Sequence, residues 1–291
     1  MNNKSIQIKK DELYLVTGGS GFLGKELIGR LLKGGSKVRV VARNEGNLIL
    51  LKQRFPQIEY FTGDIAQSSI CAQVIKDVDG IFHLAAFKHV GMAEYQPKEC
   101  VMSNIVGSLN LLEESLHEKS IKFFVAISTD KAAQVAGVYG ASKYLMEHLI
   151  KQFSSFDESK KYRILRYGNV LYSTGSVLCK WKDLLKEGKE VVVTDQNATR
   201  FFWTIEQAVD LIYECMDKAT NCSPFAPDMK SIRLRSLLSA MASKYLPHGA
   251  ELKVKEIGLQ PGENLHEKIM EEGPYSNEVE EYTVNEIMEL I

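Results

Sequence analysis

The stretch from Leu13 to Ala42 constrains this chain most. Leu13-Tyr14-Leu15-Val16-Thr17 is a short apolar run that reads as a strand. Gly18-Gly19-Ser20-Gly21-Phe22-Leu23-Gly24 follows at once, and a helical pattern continues through Leu27, Ile28, Leu31 and Leu32. Gly34 and Gly35 stop the helix, and Val38-Arg39-Val40-Val41-Ala42 is the next strand. Strand, glycine-rich turn, helix and strand within about 30 residues make a dinucleotide-binding unit. The glycines let backbone approach a pyrophosphate, and the helix N-terminus offers it N–H groups and a positive dipole end. Gly18, Ser20, Gly21, Phe22, Leu23 and Gly24 are therefore the first candidate cofactor residues.

The spacing is G-x-x-G-x-x-G, and Gly19 to Lys25 also fits G-x-x-x-x-G-K, the start of an NTPase phosphate loop. The next residue decides against that reading. Glu26 stands where Ser or Thr would hold magnesium, and its carboxylate would face phosphates.

Arg43 ends the second strand. An acidic residue there would bind the ribose of NAD, whereas arginine suits the 2′-phosphate of NADP. The competing reading of Arg43 is a solvated loop charge. Ile58-Glu59-Tyr60-Phe61 is a third strand ending in Thr62-Gly63-Asp64-Ile65, where Asp64 is a candidate acceptor for the adenine amino group. A helix over 68–76 leads to a fourth strand, Gly80-Ile81-Phe82-His83-Leu84. Ala85 and Ala86 let backbone pass close to a cofactor, and Lys88 stands ready for a phosphate or sugar. His83, inside an apolar strand, reads as a satisfied core histidine. A long helix from about Val101 to Glu118 carries Asn104 near its start.

Repetition of β and α predicts an α/β fold, a Rossmann-like doubly wound parallel sheet with a smaller C-terminal lobe. The expected division is a dinucleotide-binding domain over 1–170, with some later segments returning to it, and a substrate-binding lobe mainly over 171–291. A sixth strand ends in Tyr167-Gly168-Asn169-Val170. Gly175-Ser176-Val177 opens a helix to Lys186, Thr199 to Trp203 precedes a helix through Met216, and Gln260-Pro261-Gly262-Glu263 is a turn leading into another helix.

Between those halves lies Ile127 to Lys143, I-S-T-D-K-A-A-Q-V-A-G-V-Y-G-A-S-K. Tyr139 and Lys143 are four apart, so a helix places them on one face. An ammonium beside a phenol lowers its pKa, which would make Tyr139 a base for a sugar hydroxyl. Asp130 and Lys131 follow an apolar run, at the carboxyl end of a strand, where open α/β sheets place ligands. Tyr-x-x-x-Lys alone is a weak signal; its setting gives it weight.

Composition excludes other classes. The 291 residues are 45% hydrophobic and 25% charged with net charge −1, so no broad basic surface suggests nucleic acid. Cys71, Cys100, Cys179, Cys215 and Cys222 show no paired spacing and read as thiols of a reducing compartment. No metal site is expected. No apolar run approaches the roughly 20 residues of a membrane span. Met1 to Glu12 is polar, without a signal-peptide core. A soluble cytoplasmic protein is the expectation.

Several runs together resemble the extended short-chain dehydrogenase/reductases, and more closely the nucleotide-sugar 4,6-dehydratases acting on UDP-N-acetylglucosamine. They are T-G-G-S-G-F-L-G at 17–24, H-L-A-A-F-K-H-V at 83–90, S-T-D-K-A at 128–132 and Y-G-A-S-K at 139–143. R-Y-G-N-V at 166–170, T-R-F at 199–201 and L-Q-P-G-E-N-L-H-E at 259–267 extend the likeness over nearly the whole chain. Thr-Asp-Lys resembles the UDP-N-acetylglucosamine enzymes, where dTDP-glucose dehydratases carry Thr-Asp-Glu. Tyr139 resembles the C5-inverting enzymes of pseudaminic acid synthesis, where membrane-anchored retaining relatives carry Met. The sequence departs from that pattern at Ser20, Phe22 and Gln134-Val135, and its end, Tyr275 to Ile291, is shorter than the family pattern.

Arg43 makes NADP rather than NAD the expected cofactor, and the resemblance implies a UDP-sugar substrate and a homo-oligomer, dimer or hexamer. It assigns Asn104, Asn169, Ser176, Val177, Arg200 and Glu263, with Lys88, to the nucleotide sugar. Arg200 has the clearest physical case, since a guanidinium fork suits a diphosphate. The plain alternative for each is loop structure. In the chemistry expected, Tyr139, tuned by Lys143, takes the 4-hydroxyl proton while C4 is oxidised. Thr129 bonds the same oxygen. Lys131 and Asp130 then remove the C5 proton and protonate the leaving C6 hydroxyl, with their roles exchangeable. A direct ion pair would oppose those roles, so their side chains are expected to diverge. A sibling 4-epimerase or 4-ketoreductase would share Tyr139 and Lys143 without needing Asp130 and Lys131. A non-enzymatic NADP-binding protein would need none of the four.

Overall fold

Apolar runs that cannot face water on either side become the inner strands of a parallel sheet. In this computed structural model, which describes residues 5–291, those runs alternate with helices along the chain. The part of the N-terminal reading that falls on residues 1–4 lies outside the described residues. The first half runs β1 (Leu13–Thr17), α1 (Phe22–Lys33), β2 (Lys37–Ala42), α2 (Glu45–Arg54), β3 (Glu59–Thr62), α3 (Ser68–Val74) and β4 (Gly80–His83). Next come α4 (Val90–Tyr95), α5 (Pro97–Val101), a wide π-helical turn over Met102–Val106, α6 (Gly107–His117), β5 (Phe123–Thr129), α7 (Val138–Phe156) and β6 (Lys161–Tyr167).

The second half runs β7 (Asn169–Val170), α8 (Val177–Lys186), β8 (Val191–Val193), β9 (Thr199–Trp203), α9 (Ile205–Lys218) and β10 (Pro224–Phe225). It ends with β11 (Ser231–Arg233), α10 (Leu234–Tyr245), β12 (Val254–Glu256) and α11 (Val284–Leu290). The large sheet has the order β10-β6-β5-β4-β1-β2-β3, every pair parallel. The order reverses between β1 and β4, and a doubly wound sheet opens its ligand crevice at that reversal. The register sets Thr17 beside His83 and Thr129 beside Tyr167.

Tyr14, Leu27, Leu31, Val40 and Phe82 pack on one face of the sheet; Leu15, Ile81, Leu112, Phe124 and Ile150 pack on the other. His83 is the satisfied core histidine expected. Its Nδ1 lies 2.8 Å from Thr17 Oγ1 and its Nε2 2.8 Å from Ser108 Oγ, and burial pulls it down to about 3. The five cysteines are free, and Cys71, Cys100 and Cys215 are buried.

The lobe has its own core, with Leu178, Trp181, Leu185, Leu237, Met241 and Ile287. Its sheets are β11-β9-β7 and β12-β8. Helix α9 packs on α1, and β10 adds a seventh strand beside β6. One expectation fails here. No helix follows the Gln260–Glu263 turn; residues 264–283 are irregular until α11. Gly262 takes φ +81°, and the segment bonds sideways instead. Glu267 N donates to Ser276 Oγ (2.9 Å), and Ser276 Oγ donates to Thr199 O (3.1 Å).

Candidate active site

Burial along its whole length carries β5 into the centre of the sheet. Its carboxyl end delivers Thr129 and Asp130, and a tight turn over Asp130–Ala132 follows with Lys131. Helix α7 brings Tyr139 and Lys143 to the same place. Its cap residue, Gly137, has no side chain, so the carboxylate of Glu94 in α4 accepts from Val138 N at 2.7 Å. Further along α7, Glu147 accepts from Ser128 Oγ and binds both ends of the Arg166 fork at 2.7 and 2.6 Å. Arg166, fully buried, also holds Glu271 at 2.9 and 2.7 Å. This network bolts the helix to β6 and to the C-terminal segment.

Two expectations are corrected at the centre. Asp130 and Lys131 do not diverge: Lys131 Nζ stands 3.2 Å from Asp130 Oδ1. A second carboxylate, Glu267 Oε1, is 3.5 Å away on another side, and Arg200 Nε lies 3.7 Å from the same oxygen. Burial pushes Lys131 down, but Asp130 and Glu267 outweigh it and hold the ammonium above its usual range. Asp130 Oδ1 also accepts from Thr129 Oγ1 at 2.8 Å, while Oδ2 has no partner.

The second correction concerns Tyr139. Its phenol is not lowered: burial pushes it up to about 12, against the pull of the Thr129 hydroxyl and the Lys131 ammonium. Lys143 donates instead to the Ile127 carbonyl at 2.6 Å, and burial pulls its ammonium down to about 8. The cation that draws on Tyr139 is therefore Lys131 rather than Lys143.

At the other end, Gly18 takes φ +67°, and a Cβ there would stand 2.8 Å from the Ala85 backbone. At Gly24 a Cβ would lie 2.5 Å from Gly19. The bare turn is thus required for β1, β4 and α1 to meet. Gly21 caps α1 with no side-chain oxygen, so the first-turn N–H groups, those of Phe22 and Leu23 included, remain for an anion. Ser20 is buried in the same turn. Arg43 is exposed at the end of β2, 3.8 Å from Asp64, and Asp64 Oδ1 accepts from Ala66 N. Ile65 is buried and its carbonyl accepts from Asn110. Ala85 N donates to Thr17 Oγ1, with Ala86 next along the rim. These residues fit a dinucleotide lying across the strand ends.

The residues assigned to the nucleotide sugar separate. Asn104 is a correction: it is fully buried and clamps Phe87, with Oδ1 accepting from Phe87 N and Nδ2 donating to Phe87 O and Ser142 Oγ. Glu263 accepts from Gln260 N, closing its own turn. Arg200 is drawn into the acid–base group, and its Nη1 donates to the carbonyls of Thr199 and Leu265. Lys88 reaches the Thr174 carbonyl at 3.1 Å, tying the loop after β4 to the loop before Ser176 and the exposed Val177. Asn169 Nδ2 lies 3.5 Å from Phe201 O.

Sequence reasoning missed Glu267, Tyr167 and Glu94. Tyr167 adjoins Tyr139, which together with burial holds its phenol above the usual range. Glu267 closes the same L-Q-P-G-E-N-L-H-E run as Glu263, and nothing local says which glutamate turns inward.

Comparison with known proteins agrees with this geometry. A family model described as polysaccharide biosynthesis protein matches residues 14–289. The inverting UDP-N-acetylglucosamine 4,6-dehydratase of Campylobacter jejuni is 34% identical over 87% of this chain and 75% of its own length. An uncharacterized membrane protein of Methanocaldococcus jannaschii is 37% identical, over 92% of this chain and 84% of its own. Among the described residues here, no helix is long and apolar enough to cross a membrane. The X-ray structure of Pen from Bacillus thuringiensis superposes with TM-score 0.91 at 31% identity, covering 98% of each chain. The fold is also that of the Thermotoga maritima UDP-glucose 4-epimerase, with TM-score 0.77 at 23% identity and 96% of each chain covered. The chain belongs to the polysaccharide biosynthesis protein family, of short-chain dehydrogenase/reductase fold.

Proposed function

We propose that this protein is an NADP-dependent UDP-N-acetylglucosamine 4,6-dehydratase that inverts C5, an early step of pseudaminic acid or related surface-glycan synthesis. One observation carries the reading: Thr129, Asp130 and Lys131 from the end of β5 meet Tyr139 in one buried group. An epimerase sharing the fold has no use for an acid and a base beside the tyrosine. The C. jejuni relative, similar along most of the chain, supports the same choice.

The C5 proton of a hexose is not acidic until C4 is a ketone. Bound at the glycine turn, a nicotinamide dinucleotide would supply the acceptor that oxidises C4 and the donor that later reduces C6. Tyr139 takes the 4-hydroxyl proton, and Thr129 bonds the same oxygen. The Thr129 hydroxyl and the Lys131 ammonium pull the phenol down against its burial. Lys131 and Asp130 then serve as the base at C5 and the acid at the C6 hydroxyl. The exposed Arg43 supports NADP over NAD, since its guanidinium suits a 2′-phosphate.

Proton NMR with UDP-N-acetylglucosamine in D₂O tests this. The expected result is a new C6 methyl signal with deuterium at C5 and ring couplings of the inverted sugar. A new sugar spectrum without a methyl signal would make the protein an epimerase, and no change would remove the substrate assignment.

A further inference from the structure

Lys131 is gripped by two buried carboxylates. Asp130 Oδ1 lies 3.2 Å from its Nζ and Glu267 Oε1 3.5 Å, and each acid is 1% exposed. The groups facing it come from every element around it: Asp130 on its own turn, Tyr139 from α7, Arg200 from β9 and Glu267 from the C-terminal segment. Neither Asp130 Oδ2 nor Glu267 Oε1 receives a hydrogen bond. Asp130, Lys131, Glu267 and Arg200 sum to zero charge, which makes their joint burial tolerable.

Dehydration needs a neutral amine at C5 and a neutral acid at C6 together. The ion pair reaches that state by one internal step. A proton leaves Lys131 Nζ for the Asp130 carboxylate, giving a free amine and a carboxylic acid, with total charge and all other bonds unchanged. Glu267 acts on this exchange because its charge favours the ammonium side.

We propose that Glu267 is a positioning residue that sets the proton balance between Lys131 and Asp130. The chemistry invoked rests on the dehydratase reading, but the primary test does not need turnover. It is a pH titration of the full-length protein carrying ¹³Cε-labelled lysine, with the Lys131 signal assigned by its loss in Lys131→Arg. Removing a negative charge makes neighbouring protons leave more easily. Glu267→Gln, which keeps the shape, is therefore expected to lower the Lys131 midpoint by roughly one to three units.

Asp130 and Lys131 exchange one proton, so both limbs of the kcat profile on UDP-N-acetylglucosamine should move to lower pH in the same variant. The KM should stay within about threefold, since Glu267 acts through Lys131 and not on uniform substrate binding. A merely structural role would lower kcat at every pH and leave the limbs in place. Glu267→Asp, with its charge on a shorter stem, should fall between the two and serves if the amide variant does not fold. An unmoved lysine midpoint in whichever variant folds overturns the inference. A moved midpoint in a protein that forms no methyl product upholds it and overturns the dehydratase reading.

Discussion

The glycine turn after β1 and the acid–base group after β5 are both built at carboxyl ends of parallel strands, yet from opposite materials. The turn works by absence: Gly18, Gly21 and Gly24 clear space and leave N–H groups uncovered, within seven consecutive residues. The acid–base group works by accumulation. It gathers Asp130 and Lys131 from one turn, Tyr139 from α7, Arg200 from β9 and Glu267 from an irregular segment more than a hundred residues further on. The first site can be complete in one supersecondary unit, whereas the second exists only once the lobe has closed on the sheet.

If the two are separable, a change at each should leave the other intact. Asp130→Asn with Lys131→Ala should cut dehydration by roughly 10²–10⁴ or more. NADP binding, followed by calorimetry, should be retained; lost binding would show that the sites are not independent. Gly18→Ala is the converse. A Cβ at φ +67° costs about 1–2 kcal/mol and meets the Ala85 backbone. Cofactor affinity should fall roughly tenfold or more, while the Lys131 titration stays where it was.

Lys143 tests how much stability the buried group costs. Burial lowers its ammonium from 10.5 to about 8, so between those values the unfolded chain binds a proton that the folded chain does not. The penalty is full below about pH 8 and fades as pH rises to 10.5. Lys143→Met should therefore be more stable at neutral pH, by on the order of 1–3 kcal/mol in urea denaturation. That gain should shrink in alkali; a gain independent of pH would contradict the sign. The smallest effect is expected at Glu94→Ala, which removes the cap on Val138 N and should cost about 1 kcal/mol. A kcat loss larger than the stability loss would show that Glu94 also aims Tyr139.

Most of the sheet was legible because its signals are local. Apolar runs of four to seven residues alternating with helical periods leave few arrangements of a parallel sheet, and His83 could be read as a core residue from its apolar flanks. The helix expected after Glu263 failed for the complementary reason. Over 264–283 the segment bonds through Ser276 to Thr199, a partner far back in the chain that no local window of sequence contains.

The candidate site divides along the same line. Chain order alone specified a dinucleotide turn, a Tyr-x-x-x-Lys helix and a Thr-Asp-Lys strand end, because each is a pattern of neighbours with its own steric or periodic logic. Folding in three dimensions assigned the charges. It turned Lys143 to a backbone carbonyl, made Asn104 a clamp and set Glu267 rather than Glu263 against Lys131. Electrostatic energies depend on distances of a few ångströms in a buried medium. Such distances arise between segments far apart in the chain, so only the closed tertiary structure decides which ammonium faces which acid.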